Sequence, residues 1–116
     1  MNKYEIRLTE LFIEDLNEIL KYIKYDLKNS EAANRLYEQI INKILERSKA
    51  PLMYEKYISV LNKKHEFYRI YVGNYIIFYI VYDNIMEIRR ILINKRNIRY
   101  FVKDINVKYK LKQGSY

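Results

Sequence analysis

The sequence contains no cysteine and one histidine, His65. Disulfides, a cysteine-built zinc site and a cysteine nucleophile are therefore excluded, and a Ser-His-Asp triad would have to use that single imidazole. No metal and no other cofactor is expected. Glycine is limited to two residues and proline to one, which argues against long disorder. No run approaches the roughly 18 uncharged apolar residues that a membrane-spanning helix needs, so no membrane partner is expected. The N-terminal MNKYEIRLTE lacks the apolar core of a signal peptide, which predicts a cytosolic protein. Acid is scarce in one region only. Residues 1–88 carry 13 basic and 13 acidic side chains, whereas residues 89–116 carry 9 basic and 1 acidic, so the whole net charge of +8 lies in the last quarter. The abundance of Ile, Lys, Asn and Tyr fits AT-rich codons, but codon bias does not produce that asymmetry. A local positive field suited to phosphate or to an acidic protein does.

At 116 residues, half of them hydrophobic, the chain is sized for one domain with a modest core. Residues 3–8 alternate Tyr4, Ile6 and Leu8 with Glu5 and Arg7, the pattern of a half-buried strand. Thr9 offers an N-cap to a helix whose apolar positions are 12, 16, 19, 20, 23 and 27, ending near Asn29. Ser30 is placed to cap a second helix with apolar positions 33, 36, 37, 40, 41, 44 and 45, limited by Pro51. So short a link folds the two helices back as an antiparallel hairpin. The stretch 51–67 predicts a short strand around Tyr57 to Leu61 and a polar loop, NKKHE.

The next stretch, YRIYVGNYIIFYIVYDN, carries two turn signals, Val72-Gly73-Asn74-Tyr75 and Tyr82-Asp83-Asn84-Ile85. They divide it into strands 67–72, 75–82 and 85–93. Two-residue turns fix register, and register fixes faces. Val72 then pairs with Tyr75 and Arg69 with Phe78; beyond the second turn, Tyr82 pairs with Ile85, Phe78 with Arg89, and Ile76 with Ile91. One face collects Tyr68, Ile70, Val72, Tyr75, Ile77, Tyr79, Val81, Met86, Ile88, Arg90 and Leu92, apolar but for Arg90. The other collects Arg69, Tyr71, Ile76, Phe78, Ile80, Tyr82, Glu87, Arg89 and Ile91, with Arg69, Phe78 and Arg89 in a row. Aromatic and basic groups together suit nucleic acid. The plainer account is that the arginine stems cover Phe78 and pair with Glu87. The fold class that follows is α+β: an N-terminal strand, a helix hairpin and an antiparallel meander in one sheet packed on the helices. Residues 1–107 form the expected domain and 108–116 a mobile basic tail.

The order of these elements, with the YRI.VGNY…Y segment, the Asp83-Asn84 turn and the INKRN ending, resembles the RelE/ParE superfamily of type II toxin–antitoxin toxins over about residues 3 to 100. The resemblance implies one of two activities, ribosome-dependent mRNA cleavage in RelE-like members or poisoning of DNA gyrase in ParE-like ones. It also implies a cognate antitoxin with an acidic, partly disordered segment, and with it a hetero-oligomer. For RNA cleavage, a 2′-hydroxyl attacks the adjacent phosphate, which calls for a base, cations and an acid. By resemblance, Arg69 falls at a catalytic Lys/Arg position, Tyr71 at a second basic one and Arg96 at the basic position after the last strand. Tyr100 lies near a C-terminal tyrosine used as a proton carrier. Arg89, Phe78, Lys63, Lys64, Lys95 and Arg99 are candidate RNA or target contacts, and His65 reads as a loop histidine. The chain departs from the pattern at Ile76, where an arginine usually holds the phosphate, and at Asn94, where many relatives place a histidine. A basic RNA-binding or inactive toxin-like domain is the alternative.

Overall fold

The computed structural model describes residues 4–54, 56–57 and 66–94. Strand β1 (Glu5–Leu8) leads into helix α1 (Glu10–Lys21), which widens into a π-turn over Tyr22–Asp26. Helix α2 (Ser30–Arg47) follows, then a 3-10 turn at Pro51–Met53, strand β2 (Lys56–Tyr57), and the meander β3 (Phe67–Val72), β4 (Tyr75–Tyr82) and β5 (Ile85–Ile93). The five strands form one sheet in the order β1-β5-β4-β3-β2. β1 runs parallel to β5, and the other neighbours are antiparallel.

Local chemistry explains most boundaries. The Thr9 hydroxyl accepts the Phe12 N–H and thereby caps α1. Asn29, not Ser30, caps α2, its Oδ1 accepting the Ala32 N–H at 3.0 Å, because the cap lies one residue outside the first helical position. The strands of the meander have the expected limits, since each turn places its first residue at positive φ: Gly73 at 55° and Asp83 at 53°. Of the strand expected at Tyr57 to Leu61, Lys56–Tyr57 pairs with β3, and residues 58–65 lie outside the described residues.

Phe12 and Leu16 of α1 and Ile40 and Ile44 of α2 meet Tyr68, Ile70, Val72, Ile77, Tyr79, Met86, Ile88 and Ile91 of the sheet in the main core. Tyr68 stacks on Tyr79 at 5.2 Å. Each such side chain, fully buried, contributes on the order of 1.5–3 kcal/mol.

The register departs from expectation at one point. β3 and β4 pair as anticipated, as do Tyr82 with Ile85 and Ile80 with Glu87. Beyond Tyr79–Ile88 a bulge intervenes, so Phe78 faces Arg90 rather than Arg89, and Ile76 faces Leu92 rather than Ile91. Arg89 is the extra residue. From Ile91 onward the bulge exchanges the faces of the side chains, while Arg90 still reaches Asp15 on the helix side. Ile91 therefore enters the main core, while Leu92 joins the opposite side.

Candidate functional site

The candidate site is the sheet face turned away from the helices. It begins with β4, whose residues alternate: Ile76, Phe78 and Ile80 leave the helix side and still become buried. Ile76 is 0% exposed and Phe78 3%, and they form a second cluster with Phe67 and Leu92. Phe67 meets Phe78 edge-on at 6.4 Å. Of the two accounts of this face, an open basic-aromatic surface and a covered Phe78, the structure fits the second: its centre is an apolar packing layer. A strand buried on both sides needs a nearly continuous apolar run, and YIIFYIVY is one.

The charged groups occupy its margins. On β3, Arg69 and Tyr71 share this face, with the guanidinium 5.8 Å from the Tyr71 ring centroid. Tyr71 is exposed and Arg69 half-buried. On β5, the Arg89 guanidinium sits 3.5 Å from the Glu87 carboxylate, the pairing anticipated for it. Glu87 also accepts the Tyr82 hydroxyl, Tyr82 accepts from Arg7, and Arg7 bonds Glu5. The result is an alternating strip, Glu5–Arg7–Tyr82–Glu87–Arg89, across three strands. Donation to Glu87 pushes the Tyr82 phenol above its usual value, and the bond to Glu5 raises Arg7.

Two arginines outside this face are held by the fold, and sequence reasoning did not find their partners. Arg90, the sole charge on the otherwise apolar side, makes a two-point contact with Asp15 of α1: Nε to Oδ2 at 2.6 Å and Nη2 to Oδ1 at 2.9 Å. Both residues are 6% exposed. A signal existed, since Asp15 interrupts the helical stripe at 12, 16 and 19 just as Arg90 interrupts the sheet's apolar face. Arg47, in the last turn of α2, lies 3.5 Å over the Tyr54 ring and donates to the Arg69 carbonyl and the Tyr79 hydroxyl, each at 3.0 Å. Tyr79 in turn donates to the Pro51 carbonyl. No spacing in the sequence announces that cluster, which depends on tertiary approach alone.

The structure thus places Arg69 and Tyr71 on one side and Arg89 on the other side of a layer formed by Ile76, Phe78, Phe67 and Leu92. Arg96, Tyr100, Lys63, Lys64, Lys95, Arg99 and His65 lie outside the described residues. Among the described residues no group of His, Cys, Asp or Glu is arranged to hold a metal ion, and no helix is long and apolar enough to cross a membrane.

Comparison with known proteins agrees with this architecture. A family model described as "ParE toxin of type II toxin-antitoxin system, parDE" matches residues 6–98. A solved structure titled "Chromosomal ParDE TA system from P. aeruginosa" superposes with a TM-score of 0.66, covering 80% of this chain and 98% of its own. Identity there is 14%, so the likeness is one of fold. A search of curated protein sequences finds no match.

Proposed function

The chain belongs to the ParE toxin family of type II toxin–antitoxin systems, and we propose that it arrests growth by holding DNA gyrase on DNA rather than by cutting RNA. The observation that carries this reading is Ile76. Where the superfamily resemblance implies a phosphate-holding arginine, this chain has an isoleucine with no exposed surface, packed with Phe67, Phe78 and Leu92. An RNA-cleaving site needs several cations converging on one phosphate. Here Arg89 is tied to Glu87 and Arg69 lies over Tyr71, on opposite sides of an apolar layer. Losing one charge-assisted contact to a transition state typically costs about 2.7–4 kcal/mol, a hundredfold or more in rate. Binding a large protein has no such requirement. The apolar layer is closed, so the groups this face leaves for a partner are its margins, exposed Tyr71 and half-buried Arg69 and Arg89.

A cognate antitoxin is the partner that goes with the family. We take its contacting segment to be acidic and partly disordered, ordering against the basic last quarter of the sequence, with a toxin–antitoxin hetero-oligomer as the resting form. The nuclease reading keeps one observation in its favour, the neighbouring Arg69 and Tyr71 on one face.

Induced expression separates the two. The expected result is intact messages with accumulated gyrase–DNA cleavage complexes. Cuts within translated codons, lost in Arg69→Ala or Arg96→Ala, would overturn the gyrase reading and restore those residues, with Tyr71 and Tyr100, as the catalytic set.

A further inference from the structure

We infer that Asp15 is a positioning residue that selects the register of the outer half of β5, and so decides which side chains of that strand reach the face opposite the helices. The stretch Ile88-Arg89-Arg90-Ile91-Leu92-Ile93 suits two ladders. In a regular ladder continued from the Asp83-Asn84 turn, Ile77 faces Arg90 and Leu92 turns to the core. In the observed ladder Arg89 is bulged out, Ile77 faces Ile91, and Leu92 turns away. Either apolar residue fills the core slot, so hydrophobic patterning does not choose between them.

The hydrogen bonds do. In an antiparallel pair, successive residues of a strand direct their N–H groups alternately toward and away from the neighbour. The Asn94 N–H donates to the Asn74 carbonyl, so by alternation the Ile91 N–H points away from β4. It is received by Asp15, whose Oδ2 lies 3.2 Å away and also takes the Arg90 Nε. A one-residue slip would turn the residue-91 N–H toward β4 and break that bond. The Thr9 hydroxyl adds a second hold, within bonding distance of the Ile88 and Arg89 carbonyls at 2.9 and 3.1 Å. The start of α1 therefore grips the bulge through main-chain groups on either side of Arg90. The register inference stands on this geometry alone; its consequence for the target face rests on the gyrase reading above.

The test is nuclear magnetic resonance on the full chain. Non-hydrogen-bonded antiparallel partners bring their Hα atoms together, so wild type should show an Ile77–Ile91 Hα contact. In the double variant Asp15→Leu/Arg90→Leu, which removes both charges at similar volume, that contact should be replaced by one between Ile77 and residue 90. A folded double variant that keeps the Ile77–Ile91 contact would overturn the inference, because the strands would then set the bulge unaided. Should the leucine pair not fold, the more pliable pair Asp15→Met/Arg90→Met, which also lacks the acceptor, decides. An Ile77 contact with residue 90 supports the inference, and retention of the Ile77–Ile91 contact refutes it. Neither readout depends on gyrase, so failure here is distinguishable from failure of the proposed target.

Discussion

The two faces of β4 are both buried, yet their charges behave differently. On the helix side, Arg90 enters the interior and pairs at two points with Asp15, and half-buried Arg47 bonds the Tyr79 hydroxyl and the Arg69 carbonyl. On the opposite side, Arg7, Arg69 and Arg89 stay at the margins of an apolar layer, each beside a partner that is itself wholly or partly in contact with water. A buried arginine has to be completely bonded because taking its charge out of water is costly; a marginal one can exchange its partner for a ligand. Net charge alone does not separate the two kinds. Burial sets Arg90 apart from the half-buried Arg69 and Arg89, whereas Arg47, also half-buried, is tied to the fold by its bonds to the Arg69 carbonyl and the Tyr79 hydroxyl.

The largest test of that division is Asp15→Ala. It strands the Arg90 guanidinium among apolar groups, and removal of one member of a buried pair typically costs about 3–5 kcal/mol. Urea unfolding should show a loss of this size. A loss below about 1 kcal/mol, the range of exposed pairs, would mean that Arg90 escapes to water and that the two faces differ less than their burial indicates.

Next in size is a paired truncation, Ile77→Ala on the helix side and Ile76→Ala on the other. Both residues have no exposed surface, and each substitution should cost about 2–5 kcal/mol. Near equality would establish the outer layer as a second core. Ile76→Arg sharpens this further. If the layer is packed, the charge has no partner there and the melting temperature falls without any gain of RNA cleavage. A variant that stays stable and cuts RNA would show that the position had merely lost its catalytic group.

Tyr79→Phe removes a buried hydroxyl that joins Arg47 to Pro51, leaving the Pro51 carbonyl short of a donor, and should cost about 1–3 kcal/mol. It also carries a pH signature. Burial raises the Tyr79 phenol above its ordinary value of 10, with the bond and charge of Arg47 partly opposing the rise. Below pH 10 folded and unfolded chains both keep the proton, and the full contribution is present. Above pH 10 the unfolded chain ionises first, so stability is lost as pH climbs through the higher folded value. Tyr79→Phe should therefore lose stability less steeply above pH 10 than wild type. Tyr75, raised by burial and by nearby Tyr22, retains part of that slope.

Much of this arrangement was legible in the sequence, for identifiable reasons. Gly73 and Asp83 mark turns whose positive φ fixes the strand limits, and Thr9 marks the start of α1. The bulge was not legible, because Ile91 and Leu92 are interchangeable to a pattern of apolar and polar residues. Its cause is the hydrogen bond that the Ile91 N–H donates to Asp15 of α1, more than seventy residues away in sequence. The face was legible: Arg69, Tyr71 and Phe78 do share it, as the two-residue turn at Gly73-Asn74 requires. The alternation that identified that face could not say that it was closed. The continuous run YIIFYIVY, apolar at successive positions, is the feature that carries that information.

The smallest expected effect is the most discriminating between the faces. Glu87→Gln keeps an acceptor for the Tyr82 hydroxyl but removes the charge facing Arg89, whose side chain and that of Glu87 remain 20% and 16% exposed. Such a pair is worth at most about 1 kcal/mol. Salt should then separate it from the buried pair. At roughly 1 M ionic strength the screening length is about 3 Å, so the small difference between wild type and Glu87→Gln should vanish. The deficit of Asp15→Asn should persist, because counterions do not reach a pair so nearly sealed from water. If both deficits fade together, Arg90 is as open to solvent as Arg89. If neither fades, Glu87 is a structural ion like Asp15, and Arg89 is no freer than Arg90 to meet a target.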